Sequence, residues 1–104
     1  MKKTLVRGTT PSIQFHFKTV DTSAISIAYL VIRCCGRVVV EKDLSEATVS
    51  EQTITWKLTQ DETLKLRVGD VAVVCCDWKL TDGTRGRSKV AEYMVEPAGK
   101  SKVI

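Results

Sequence analysis

Val71-Ala72-Val73-Val74-Cys75-Cys76-Asp77-Trp78-Lys79-Leu80, followed by Thr81-Asp82-Gly83-Thr84 and the run to Glu96, decides the fold class. Ten residues rich in β-branched and aromatic side chains read as one strand, Asp82-Gly83 as a two-residue turn of the primed hairpin type, and Thr84 to Glu96 as the returning strand. Working back from this hairpin, Ser12-Ile13-Gln14-Phe15-His16-Phe17-Lys18 alternates with Ile13, Phe15 and Phe17 on one face, the mark of a half-buried strand. Thr53-Ile54-Thr55-Trp56-Lys57-Leu58 alternates in the same way. Between them, Ile25 to Cys34 is apolar on both faces, as in an interior strand, and Cys35-Gly36 is a tight turn into Arg37-Val38-Val39-Val40-Glu41-Lys42. Residues 43–52 read as a connection with a brief edge strand near Thr48-Val49.

Thr59-Gln60-Asp61-Glu62 has the form of a capping box, so a short helical turn is expected near residues 60–66, with Leu64 and Leu66 inward and Gly69 ending it. Val, Ile and Thr supply 32 of the 104 residues, which favours pleated, half-buried surface. The expected fold is therefore all-β: an immunoglobulin-like β-sandwich of six to seven antiparallel strands with that one helical turn. A chain of this length holds one domain, 1–104, with 1–7 and 97–104 as frayed ends. The expected core is Phe15, Phe17, Ile27, Val31, Ile54, Trp56, Leu58, Leu64, Val73 and Trp78.

Hydrophobic residues at 43% and charged residues at 27% exclude collagen-like and disordered classes. The basic start Met1-Lys2-Lys3 is followed by no apolar export segment, and no run approaches the roughly 20 residues of a spanning helix. Synthesis in the bacterial cytoplasm, without membrane contact, is the expectation. Thiols there stay reduced, so the four cysteines are expected to be free.

Those cysteines stand as two vicinal pairs, Cys34-Cys35 and Cys75-Cys76. Neighbours in a strand point to opposite faces, so neither pair is expected to present both sulfurs to one metal, and the C-x₂₋₄-C spacing of zinc knuckles is absent. No metal and no cofactor is expected. The sole histidine, His16, falls on the polar face of its strand, and the chain contains no G-x-S-x-G, H-E-x-x-H or phosphate-loop motif, so no catalytic residue is assigned. Asp77 lies inside an apolar strand and is expected to pair across the hairpin with Arg85, Arg87 or Lys89. Lys79, Arg85, Arg87 and Lys89 make the last hairpin a cationic ribbon and the candidate partner-contact surface. A net charge of +4 is too mild to declare a nucleic-acid protein, and nucleic-acid binding by this hairpin is the alternative function.

The order of motifs adds a family resemblance. Arg7-Gly8-Thr9-Thr10-Pro11, the Phe-alternating strand, the central apolar strand, the Leu58-Thr59-Gln60-Asp61-Glu62-Thr63-Leu64 corner and the Leu80-Thr81-Asp82-Gly83-Thr84 hairpin resemble the small immunoglobulin-like sandwich proteins of Firmicutes phage and prophage tail regions. They are similar to the N-terminal domain of phage baseplate upper proteins. Residues 7–96 carry the likeness. It implies a non-enzymatic virion, tail or baseplate component that works by contacts with other tail proteins or with itself. The sandwich also offers one disulfide alternative, an inter-sheet bridge between Cys34 and Cys75.

Overall fold

A computed structural model describes residues 3–18, 20–88 and 90–97. The long hairpin arm forms as read: β7 runs Val71–Leu80, with β3 (Ile25–Cys34) antiparallel beside it and β4 (Arg37–Asp43) outside β3. β9 (Ala91–Glu96) pairs with the first half of β7, and β8 (Arg85–Arg87) with the second half, on the same side. β1 (Lys3–Val6) closes this sheet along β9. A smaller sheet is ordered β2 (Ser12–His16), β6 (Thr53–Lys57), β5 (Ala47–Ser50). The two sheets face each other, and the fold is an all-β sandwich of immunoglobulin-like type.

The core lies between the sheets. Ala28, Leu30, Ile32, Ala72, Val74 and Cys76 project inward from the large sheet onto Ile13, Ile54, Trp56 and Leu58. Trp56 ties the layers together, since its indole N–H donates to the Asp43 carbonyl at 2.8 Å while Phe15 meets its ring edge-on at 5.9 Å. The capping box at Thr59 starts a single helical segment, α1 (Gln60–Leu64). Thr63, fully buried, accepts from the Gly8 amide and donates to the Thr9 carbonyl, so the Arg7–Pro11 stretch is clamped onto this corner. Glu62 reaches beyond its cap to the buried Lys42 ammonium at 2.9 Å. Burial raises the Glu62 carboxyl, but the Thr59 amide and the Lys42 charge outweigh it and leave the group below its ordinary value.

Several expectations are corrected. Residues 3–6 are not frayed: β1 lies parallel to β9 with Leu5 2% exposed, because the open edge of β9 supplies the ladder that four residues cannot supply for themselves. Among the described residues the strands number nine, and one pairing is parallel, because the short edge segments and the split return arm each count. Residues 98–104 lie outside the described residues.

The inward parity of β3 is also reversed, with Val31 buried all the same, and in β7 Val73 turns outward while Trp78 keeps the inward parity of Cys76. Ile27 is 41% exposed and Val73 half-buried, because a strand apolar on both faces carries no alternation to say which face meets the core. Phe15, Leu64 and Trp78 are half-buried as well, with Leu66 filling the core position beside the helix. At the hairpin tip only Gly83 has a positive φ (94°), and Leu80 donates to the Thr84 carbonyl at 2.7 Å. The loop is thus three residues with one left-handed glycine, where a primed two-residue turn needs two positive φ values. The return arm breaks after Arg87. Ser88 bridges the break, its amide donating to the Cys76 carbonyl and its hydroxyl accepting from the Cys76 amide, both at 2.9 Å.

Candidate metal centre

β3 and β4 are joined by two residues, Cys35 and Gly36, with φ of +58° and +77°. Two consecutive left-handed residues match the right-handed twist of the flanking strands, so this hairpin is the tight primed kind. Glycine takes that geometry freely. A cysteine with its Cβ does not, at a cost of about 1 kcal/mol, and Asn, Asp or Gly is the ordinary choice there.

The turn changes where the sulfurs point. Cys34 is the last residue of β3 and is buried, on the same side as Ile32 and Leu30. Cys35 has left the strand, so pleat alternation no longer governs it. Its exposed thiol donates to Asp70 Oδ2 at 2.8 Å. Asp70 ends the turn before β7, where its amide donates to the Arg67 carbonyl and its own carbonyl accepts from Val95. The two sulfurs and a carboxylate oxygen of Asp70 all lie within 4.8 Å of one another. The expectation that neither vicinal pair can turn both sulfurs to one ion is therefore corrected for Cys34-Cys35. Ligands held by one ion at bond lengths of about 2.0–2.3 Å sit about 3.5 Å apart, so a contraction on the order of 1 Å at an exposed turn closes the set.

Asp70 also shapes the acidity of the site. Its carboxylate, accepting the thiol proton, raises Cys35 above the ordinary thiol value; desolvation and the Asp70 charge add to this. Arg67 approaches the same carboxylate oxygen at 3.6 Å. Sequence reading missed Asp70, which lies 35 positions from Cys35 and carries no motif. The one available signal was a cysteine where a primed turn prefers Asn or Gly.

Cys75-Cys76 behaves as strand alternation requires, with Cys76 in the core and Cys75 on the opposite face, covered by its neighbours. Burial pushes the Cys76 thiol up to about 12, with Asp77 and Cys75 adding to the shift. All four cysteines are free. Cys34 and Cys75 occupy adjacent strands of the same sheet and face opposite sides, so the inter-sheet bridge is corrected: the pair has no second sheet to reach.

The cationic hairpin is placed on the outer face of the large sheet. Arg87 makes a two-pronged ion pair with Asp77, at 2.5 and 3.2 Å. Lys79 and Arg85 stand directly opposite each other, and Lys89 lies outside the described residues. His16 is exposed at the end of β2, and no acid or nucleophile of the site is near it in register.

No protein-family profile matches the chain, and no curated protein does. Among solved structures, the chain is similar to CopC from Methylosinus trichosporium OB3b, at 20% identity and a TM-score of 0.61, over 97% of this chain and 89% of that one. At that identity the likeness speaks for the fold. The tail or baseplate role implied by the family resemblance is corrected here, since the solved structure matched is CopC and the comparisons give no phage evidence. Of the four hairpin cations, Arg87 is paired with Asp77. Among the described residues, no helix is long and apolar enough to cross a membrane.

Proposed function

We propose that this protein is a non-enzymatic metal-binding β-sandwich, and that Cys34, Cys35 and Asp70 hold the ion. The observation that carries the reading is the convergence of two sulfurs and a carboxylate within 4.8 Å at a turn where cysteine is conformationally costly. Two thiolates with one carboxylate suit a thiophilic d¹⁰ ion, Zn²⁺ or Cu⁺, and not the oxygen-loving Mg²⁺ or Ca²⁺. Three protein donors leave a fourth position open, and because Cys35 is exposed that position faces solvent. Such a site exchanges its ion more readily than a closed four-ligand one. Thiolate ligands must be deprotonated, so loading releases two protons, the one Cys35 donates to Asp70 and the one on Cys34. A reducing compartment such as the bacterial cytoplasm belongs to the same reading, since oxidised sulfurs would not ligate. The fold-level likeness to CopC agrees with it.

The test is an anaerobic titration with Zn²⁺, Cu⁺ and the spectroscopic stand-in Co²⁺. One equivalent retained through desalting, with a sulfur-to-metal charge-transfer band that vanishes in Cys35→Ser and weakens in Asp70→Asn, is the expected result. Retention of no ion, or equal retention by Cys35→Ser, refutes the site.

A further inference from the structure

The hairpin cations lie toward the start of β3, away from its Cys34 end, and the metal centre makes no use of them. On the outer face of the large sheet Arg85, Lys79 and Ile27 stand side by side across β8, β7 and β3. Arg87, Asp77 and Tyr29 form the next row. These six residues line a groove of about 640 Å³. That volume falls within the roughly 300–1,000 Å³ of small-molecule sites. Its β3 wall is apolar but wet, with Ile27 and Tyr29 at 41% and 40% exposure.

Charge in the groove is unbalanced. Three cations face one carboxylate, which leaves a net charge of +2. Arg87 and Asp77 neutralise each other through their two-pronged pair. Lys79 and Arg85 remain, directly opposite each other in the β7–β8 ladder, and neither is in an ion pair among the described residues. Like charges in that position repel, whereas an oxyanion seated between an ammonium and a guanidinium accepts charge-assisted hydrogen bonds from both.

The cationic arm is held in place without a ligand. β8 has only three residues, but Gly86 at its centre lies against the Trp78 indole, where an added Cβ would sit 2.1 Å from the ring. Trp78 in turn meets Phe17 edge-on at 6.3 Å. Packing on the inner side and the Arg87 to Asp77 pair on the outer side therefore fix the strand that carries Arg85. A site formed in advance loses less freedom on binding.

We infer that this groove binds a small aromatic phosphate monoester. Its phosphate, with a charge of about −1.5 to −2 at pH 7, matches the two unpaired cations and lies between Lys79 and Arg85. Its ring lies on the Ile27 and Tyr29 wall, covering apolar surface and packing against the phenol. A bare anion leaves that wall wet, and a neutral ring leaves the two cations facing each other.

Titration of the isotope-labelled full chain with naphthyl phosphate, followed through amide NMR shifts, tests it, with inorganic phosphate and naphthol as the two half-ligands. Expected are saturable shifts centred on Ile27, Tyr29, Lys79 and Arg85, with a dissociation constant of about 0.1–1 mM. Each half-ligand binds at least about tenfold more weakly, and so does naphthyl phosphate to Arg85→Gln, which lacks a charged hydrogen-bond donor. Tyr29→Ser weakens naphthyl phosphate and leaves inorganic phosphate unchanged, and the amide spectra show that both variants are folded. Absence of shifts at millimolar naphthyl phosphate overturns the inference, as does undiminished binding by Arg85→Gln. Equal affinity for inorganic phosphate or for naphthol also overturns it, and tighter binding of a short DNA strand at the same residues does so in favour of nucleic acid.

Discussion

Cys34-Cys35 and Cys75-Cys76 are the same dipeptide on neighbouring strands of one sheet, and they end up chemically unlike. The second pair sits inside a ten-residue strand, where the pleat sends one sulfur into the core and the other outward. The first pair straddles a strand end: Cys34 keeps the strand's inward parity, while Cys35, at a φ of +58°, swings its thiol back toward the same end of the sheet. One residue of backbone geometry separates a packing pair from a ligand pair. The difference teaches that a vicinal motif means nothing until its place relative to the turn is known. It also shows in acidity, because Cys76 is raised mainly by loss of water and Cys35 mainly by its hydrogen bond to the Asp70 carboxylate, which holds the proton on the thiol.

The comparison can be broken most sharply by thiol chemistry. In native protein at neutral pH, Cys35 should alkylate at least about a hundredfold faster than Cys76, because Cys76 is fully buried and must wait for local opening. Peptide mapping after timed iodoacetamide labelling reads this directly, and comparable rates would show that the two pairs are equivalent after all.

Metal affinity comes next. Cys35→Asn removes a ligand and suits the left-handed turn, so it should lower affinity at least about tenfold while leaving stability unchanged or raising it by up to about 1 kcal/mol. Urea unfolding beside the metal titration separates the two effects. In the other pair the signs reverse. Cys76→Ser buries a hydroxyl where a thiol packed and should cost about 1–3 kcal/mol, with metal binding intact.

The smallest expected effect is a pH limb. A thiol raised in the folded state contributes stability that is complete below its unfolded value near 9 and is lost as pH climbs from there toward about 12. Wild-type melting temperature should therefore fall across that alkaline window. Cys76→Val, which cannot ionise, should flatten the fall, and an unchanged slope would show that some other group carries it.

Much of the architecture could be read without coordinates. Alternation in Ser12–Lys18 and Thr53–Leu58 located β2 and β6, the capping box located α1, and Gly36 and Gly83 marked both hairpins of the large sheet. What escaped reading has a common cause. β1 is four residues whose strand character comes entirely from the edge of β9, ninety positions away in the chain. Lys42, a charge inside an apolar strand, is tolerated in the core only because Glu62 and the Lys57 carbonyl arrive to meet it.

The chain's own pattern thus determined the class of fold, the positions of the alternating strands β2 and β6 and of the capped turn, and the presence of two cysteine pairs, since all of these follow from periodicity and turn chemistry over a few residues. Tertiary structure alone decided which face of β3 and β7 is the inside, which cysteines converge, and that Asp70 is their partner. Those outcomes depend on which strands become neighbours and in what register, and pairing of that kind is settled by the packing of the whole sandwich.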